Sequence, residues 1–231
     1  MWIDDDVLKH FDRDFYAEIF IPDKSVVVLG SGNDESLEVN VDNCRAMGVD
    51  ILRRYGGGGT VVLYPGCVVV SVGCWVSEAF QNGLFFRLLN QCVIDSLALV
   101  WPELTNLSQA GISDIVFGAK KIAGTSMFRS RNYLLYQASI LVNLDLHLVA
   151  KTLRHPTKEP DYRKGRSHQD FLSALSSHVT KDISTQQVKD ALTQQFTSMV
   201  GLHLAPHLID PIDAQKPALM ARLSRSTNLS L

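Results

Sequence analysis

The chain of 231 residues has no bulk charge of either sign: 22 Lys and Arg stand against 24 Asp and Glu, a formal net charge of −2. It is therefore not built to hold nucleic acid by general positive charge, and any anionic ligand must be met by groups placed locally. Nor does it contain a run of the ~18 apolar residues that a membrane span needs. The longest apolar runs, Val26 to Gly30 and Val68 to Val76, are strand-length, so no membrane partner is expected. The opening residues MWIDDDVLKHFDRDF are acidic where an export signal is basic and then apolar, which predicts a cytoplasmic location. Cysteine is scarce: Cys44, Cys67, Cys74 and Cys92 show no C-x-x-C spacing and read as free, mostly buried thiols. The N-x-S/T matches at Asn106 and Asn228 lack a secretory context and read as chance. Internal repeats and low-complexity segments are likewise missing. What remains is 46% apolar, 20% charged and 8% aromatic, the composition of a folded globular chain of about one to one-and-a-half average domains.

The chain then organises itself by its punctuation. Val26 to Leu29 reads as a buried strand closed by Gly30-Ser31-Gly32-Asn33, and a helix is expected from about Glu38 to Met47 with Gly48 as its C-terminal cap. A strand from Val49 to Arg54 runs into four consecutive glycines, so strand, helix, strand and glycine loop form an α/β unit. Thr60 to Leu63 and Val68 to Val72 flank Tyr64-Pro65-Gly66, which predicts a hairpin. Phe85, Leu88, Leu89, Cys92 and Leu99 recur at helical steps and give a helix over 84–100 with one buried face, ended by Pro102. Asp114 to Phe117 and Lys120 to Ala123 make a second hairpin, followed by a strand over 133–143 and a helix capped by Asp145. His155 to Gly165, with two prolines and a cluster of charges, reads as a solvated loop. Ser184 and Gln187 form a capping box for a helix through Met199 that buries Val188, Leu192, Phe196 and Met199. The tail after Pro211 has little periodicity and is expected to pack loosely.

Two stretches carry residues suited to chemistry. In Arg53-Arg54-Tyr55-Gly56-Gly57-Gly58-Gly59-Thr60, glycines allow close backbone approach and aligned N–H groups, while two arginines can reach carboxylate or phosphate oxygens. This is a phosphate cradle or, alternatively, a flexible turn beside two surface arginines. It is neither a P-loop, since no G-K-S/T follows, nor a Rossmann fingerprint, since a Val-rich strand follows. In Asp114 to Gly124 the alternation of a hairpin sends Lys120 and Lys121 to opposite faces, so one can enter a site while the other is solvated; an ordinary exposed hairpin is the alternative. His203 and His207 are separated by Pro206 and have no acidic or sulfur ligand near in sequence, so no zinc site is expected and the metal ligands stay unknown.

Taken together, the two stretches resemble the lipoate-protein ligase family, within the superfamily of biotin and lipoate ligase catalytic domains. The family pattern R-R-x-S-G-G-G-T/A-V-Y/F-H-D-x-G is similar to RRYGGGGTVVLYPG, and N-D-I/V/L-x-x-x-G-x-K-I/V/F-S/A-G to SDIVFGAKKIAG, which aligns the family lysine with Lys121. Upstream, VVVLGSGNDESLEVN keeps Gly30, Glu38 and Asn40 in register; downstream, YQASILVNLDL resembles H-H-G-T-L-L-x-N-x-D-L. The resemblance implies an α+β fold, a mixed β-sheet flanked by helices of the class II aminoacyl-tRNA synthetase type. It implies one catalytic domain over 1–231, with a motif-bearing core over 26–179, a helical extension over 180–231 and no separate accessory domain.

The implied reaction joins lipoate and ATP, with Mg²⁺, to lipoyl-adenylate and passes the acyl group to a lysine of a lipoyl carrier domain; short members of the family work with an accessory subunit. Lys121 becomes the catalytic residue. Arg53, Arg54, Gly57, Gly58, Gly59, Thr60, Asp114 and Gly124 become the substrate- and nucleotide-binding set, and the Val-rich strands line an apolar tunnel for the acyl chain. Arg163, Lys164, Arg166 and His168 contact phosphates or an acidic carrier, or form a solvated basic turn. The chain departs from the pattern at Gly56, at Leu63-Tyr64 and at Tyr136-Gln137, where the family has serine, His-Asp and His-His. Leu63 also occurs in branches that transfer octanoyl or lipoyl groups through a nucleophilic cysteine without ATP. That cysteine belongs in the loop before the lysine hairpin, and 104–113 contains none. A non-catalytic lipoyl-binding relative is the third reading.

Overall fold

The computed structural model describes residues 7–227; the acidic residues 1–6 and the sequon residue Asn228 lie outside the described residues. In chain order the strands are β1 (Phe15–Phe20), β2 (Val26–Leu29), β3 (Asp50–Arg53), β4 (Val61–Leu63), β5 (Cys67–Trp75), β6 (Leu107–Ala110), β7 (Asp114–Phe117), β8 (Lys120–Ser130) and β9 (Tyr133–Leu141). The helices are α1 (Glu35–Glu38), α2 (Val41–Met47), α3 (Asn82–Val100), α4 (Leu146–Thr152), α5 (His168–Phe171), α6 (Thr185–His203) and α7 (Lys216–Thr227). Six strands form an antiparallel sheet in the order β1-β5-β9-β8-β7-β6, and three form a smaller mixed sheet in the order β3-β2-β4. This is the α+β arrangement expected.

Strand alternation builds the main core. Val68, Val70, Val72 and Cys74 of β5 and Leu134, Tyr136, Ala138 and Ile140 of β9 point to one face, where Phe85, Leu89, Cys92 and Val93 of α3 and Val188, Leu192 and Phe196 of α6 cover them. Helix α3 has the length and apolar composition of a membrane span, beyond the strand-length limit read from the sequence, yet half of that segment is buried in this core. Its Leu99, expected inside, is 60% exposed. The Ser184–Gln187 capping box forms as expected, and Asp145 accepts from the Leu148 amide at 2.8 Å. All four cysteines are buried and free.

Three expectations are corrected. The single helix over 38–47 is two, because Val39 is extended and bridges Leu153 before Asn40 starts α2; Gly48 does end α2, at φ 65°. The hairpin at Tyr64-Pro65-Gly66 does not form: the chain turns there but changes sheet, with β4 pairing β2 and β5 pairing β1 and β9. The Tyr64 hydroxyl donates to the Asn143 carbonyl at 2.7 Å and accepts from the Asp145 amide, pinning the corner to the end of β9. The tail is not loose either. Helix α7 carries Leu219 into a fully buried position beside Val7, Trp75, Phe128, Tyr133 and Leu135, on the sheet face opposite α3. Truncating such a side chain removes transfer energy and leaves a cavity. Leu219→Ala is therefore expected to lower unfolding free energy by about 2–3 kcal/mol in a urea titration, whereas a loosely packed tail would show no change.

Candidate active site

The other face of the large sheet is left partly open. Val69 of β5 packs with Val26, Val28 and Leu63 of the small sheet, and beside this contact the two sheets part to leave a cleft of about 1110 Å³. Its walls are the loop after β2, the glycine loop, the β6–β7 turn and the segment 153–171; its floor is β8 and β9. Of the residues singled out from the sequence, Arg54, Gly57, Gly58, Gly59, Thr60, Asp114, Lys121 and Gly124 all line it. Arg53 does not.

Lys121 reaches the cleft through a defect in the ladder. Lys121 pairs with Val116, but Ile115 pairs with Ala123, so Ile122 is an extra residue, a β-bulge. Ile122 and Ala123 are consequently both buried in the helix-facing core, and Lys121 is thrown to the opposite face. There its side chain runs over Gly124, where a Cβ would lie 3.1 Å from Nζ. The Lys121 ammonium makes a 2.8 Å ion pair with Asp114 Oδ1, both side chains being largely shielded. The other carboxylate oxygen of Asp114 accepts from the Tyr162 hydroxyl at 2.8 Å. Burial, then the adjacent Asp114 charge, pushes the Tyr162 phenol up, so it stays a donor across the physiological range. Tyr162 was not among the sequence candidates; only its place in a loop folded over β7 reveals it. Gly111, at φ 58°, gives the β6–β7 turn its shape directly against Tyr162.

The two arginines work differently from expectation. Arg54 is buried beneath the glycine loop and donates to the carbonyls of Gly57 (2.7 Å) and Gly59 (2.7 Å). Arg53 donates to the carbonyls of Gly30, Ser31 and Asn33, clamping the neighbouring loop. The strands leave both guanidiniums beside loops rich in inward-facing carbonyls, and these take the donors first. The amides of Gly57, Gly58 and Gly59 make no hydrogen bond among the described residues, so the arginine clamp leaves the loop's donors open at the cleft wall. Asn33 Nδ2 donates to Thr60 Oγ1 at 3.0 Å, and a Cβ on Gly30 would stand 2.2 Å from the Gly58 carbonyl oxygen, which fixes how closely the two loops approach.

The segment read as a solvated basic loop is partly buried. Arg163 is 4% exposed, stacks over Phe171 at 4.7 Å and pairs with Glu159; Arg166 stacks on the same ring and donates to the Ala119 and Tyr162 carbonyls. These contacts hold Tyr162 over Asp114. His168 lines the cleft with its ring nitrogen 3.1 Å from the Arg154 carbonyl, and burial holds its pKa below the usual histidine value. Lys164 turns the loop at φ 54° and does not line the cleft. No cluster of three or more metal-ligating side chains occurs among the described residues; His203 pairs with Asp95 and His207 with Glu78.

The cleft, with a glycine loop and a bulged lysine between a small mixed and a large antiparallel sheet, is an arrangement suited to an anionic small molecule. The model for the lipoyl protein ligase A/B catalytic domain matches residues 1–197, and the chain belongs to that family. Lipoate-protein ligase A subunit 1 of Thermoplasma acidophilum is 28% identical over 187 residues, 78% of this chain and 70% of that protein. Octanoyltransferase LipM of Kyrpidia tusciae is 28% identical over 93 residues, covering 40% of this chain and 34% of the relative. The chain spans about half the length of the streptococcal and staphylococcal lipoate-protein ligases that it matches. Among solved structures, the bi-partite lipoate protein ligase of T. acidophilum, described with its E2 lipoyl domain, superposes with a TM-score of 0.71 at 24% identity, over 85% of this chain and 76% of that one. A lipoate-protein ligase A bound with ATP gives 0.68 at 23%, over 85% and 78%. These two share the fold.

Two outcomes test the geometry. Gly30→Ala places a Cβ against backbone and is expected to displace the glycine loop and abolish ligand binding while the circular dichroism spectrum is kept. Tyr162→Phe removes a hydrogen bond to a charged group, worth roughly 1.5–3 kcal/mol, and is expected to lower unfolding free energy by up to about that much and to reduce turnover about tenfold or more; unchanged turnover would show that Asp114 needs no support.

Proposed function

We propose that the chain is an ATP-dependent lipoate-protein ligase domain that forms lipoyl-adenylate and passes the lipoyl group to a lysine of a lipoyl carrier domain. The observation that carries this reading is a cleft furnished with Lys121, Asp114 and the amides of Gly57 to Gly59, which have no partner among the described residues, and with no thiol among the described residues of its walls. A carboxylate and a triphosphate repel one another, and their reaction needs fixed positive charge and pre-aimed donors at the oxygens where charge redistributes. In this reading the Lys121 ammonium contacts the acid's carboxylate and the α-phosphate, and Asp114, oriented by Tyr162, sets its position. The glycine amides and Thr60 receive phosphate oxygens, Gly124 leaves room for the lysine stem, and Arg54 and Arg53 hold the loops. The carboxylate oxygen attacks the α-phosphorus, pyrophosphate leaves, and the carrier amine later attacks the acyl carbon and releases AMP. Mg²⁺ arrives with the nucleotide, held by phosphates and water.

The transferase reading has a relative in its favour, an octanoyltransferase, but needs an accessible thiolate. Burial pushes the Cys67 and Cys92 thiols up to about 12 and Cys74 higher still, and raises Cys44 as well. A thiol with a raised pKa stays protonated at neutral pH and is a poor nucleophile. The lipoyl carrier domain, a separate accessory subunit and a cytoplasmic location belong to the proposal, the first two supported by the bi-partite ligase of matching fold.

The test is pyrophosphate release from ATP and Mg²⁺ with lipoate, with and without a candidate accessory subunit. Lipoate-dependent release that Lys121→Ala reduces by more than about a hundredfold, and that iodoacetamide at neutral pH leaves unchanged, is the expected result. Acyl transfer between carriers without ATP, lost on alkylation, would establish the transferase instead, and carrier binding without either reaction would establish a non-catalytic relative.

A further inference from the structure

Beyond Lys121, the floor of the cleft changes character. Ser126 of β8, Gln137 of β9 and Ser71 of β5 stand directly opposite one another across three strands and share the cleft face of the sheet. Ser126 is 7% exposed and Gln137 8%, and both line the cleft. Gln137 Nε2 reaches Ser71 Oγ at a long 3.4 Å, while the Gln137 carboxamide oxygen and the Ser126 hydroxyl have no hydrogen-bond partner among the described residues. Neither atom is sealed from solvent in the open cleft, so a ligand that displaces water there must supply their partners or leave both groups unpaired, which is costly.

The level of this pair relative to the reacting centre is set by the strand. The Lys121 ammonium lies over Gly124, and Ser126 is the next residue on the same face, about 7 Å further along β8. Gly56 roofs the position, since a Cβ there would come within 3.1 Å of Ser126 Oγ, and Phe128, stacked near Tyr55, follows at the next level. Opposite lie Val28 and Leu63, with Val69 beside Ser71 on the floor. A medium-length acid with its carboxylate at Lys121 would lay its chain past these valines and bring its far end to Ser126 and Gln137.

We propose that Ser126 and Gln137 form a specificity subsite for the distal end of the acid, selecting chains that end in a hydrogen-bonding group over chains that end in a methyl. The inference rests on the ligase reading. A methyl terminus would seal both polar groups away from water without partners, whereas a terminal hydroxyl pairs with them fully and the sulfurs of a dithiolane, weak acceptors, pair in part; sites built to bond a polar group discriminate strongly against the analogue that lacks it. Either orientation of the carboxamide serves, because the serine hydroxyl can donate or accept.

The experiment is calorimetric titration of the full chain with octanoate, 8-hydroxyoctanoate and lipoate, each beside a non-hydrolysable ATP analogue and Mg²⁺. It is repeated on Ser126→Ala and on Gln137→Leu, whose folding is checked by thermal melting. Expected are at least about tenfold tighter binding of 8-hydroxyoctanoate than octanoate and lipoate ranking above octanoate. In either variant the hydroxyoctanoate preference should shrink or invert while octanoate binds as well or better. Equal or tighter binding of octanoate by the unaltered chain, or a preference untouched by both substitutions, overturns the subsite and leaves the ligase reading standing. Failure of all three acids to bind overturns the ligase reading and the subsite with it.

Discussion

One extra residue in a β-ladder governs the chemistry of this molecule. The bulge at Ile122 lets two consecutive apolar side chains, Ile122 and Ala123, enter the core under the helices, and the residue before them must then point the other way. A regular ladder would have put Lys120 on the cleft face and pressed Lys121 into an apolar core, where a lone ammonium is prohibitively costly. Packing of the hydrophobic side of the sheet thereby selects which lysine meets Asp114. The glycine at position 124 follows from the same constraint, because the lysine stem occupies the space that a side chain there would need.

Charge is economised in the same region. Arg53 and Arg54 are spent on the carbonyls of two loops, and Arg163 and Arg166 on Phe171 and nearby carbonyls. Four cations that a reading by composition would give to a ligand are engaged within the protein, where they fix the glycine loop, the loop after β2 and Tyr162. Lys121 then contributes its charge against a background of oriented dipoles, which cost no reorganisation when a charged group arrives. An overall charge of −2 is compatible with binding a highly anionic ligand for this reason.

The cleft also joins two surfaces of different character along one path. Near the small sheet it is apolar, through Val28, Leu63 and Val69; along β8 and β9 it is lined by Gly124, Ser126, Gln137 and Ser139. This division arises because β4 and β5 separate into different sheets at the Tyr64 corner, so that Leu63 and Val69 meet face to face beside the cleft instead of pairing side by side. Had the chain closed a hairpin there, the gap would not exist.

The sequence alone determined the elements governed by local chemistry: Gly48 as a helix end, the Ser184–Gln187 box, the periodic faces of α3 and α6, the glycine loop and the β7–β8 hairpin, since each is set within a few residues by backbone freedom, capping or hydrophobic period. The glycine and lysine motifs together also identified the family, because their order and spacing carry the pattern without any coordinates. Tertiary structure alone decided how Lys121 is turned into the cleft by the bulge, the inward turn of both arginines, the parting of β4 from β5, the placing of Tyr162 against Asp114 and the seating of Leu219. Each of those depends on a partner distant in the chain, and competition among distant partners for burial and hydrogen bonds leaves no signature in local spacing.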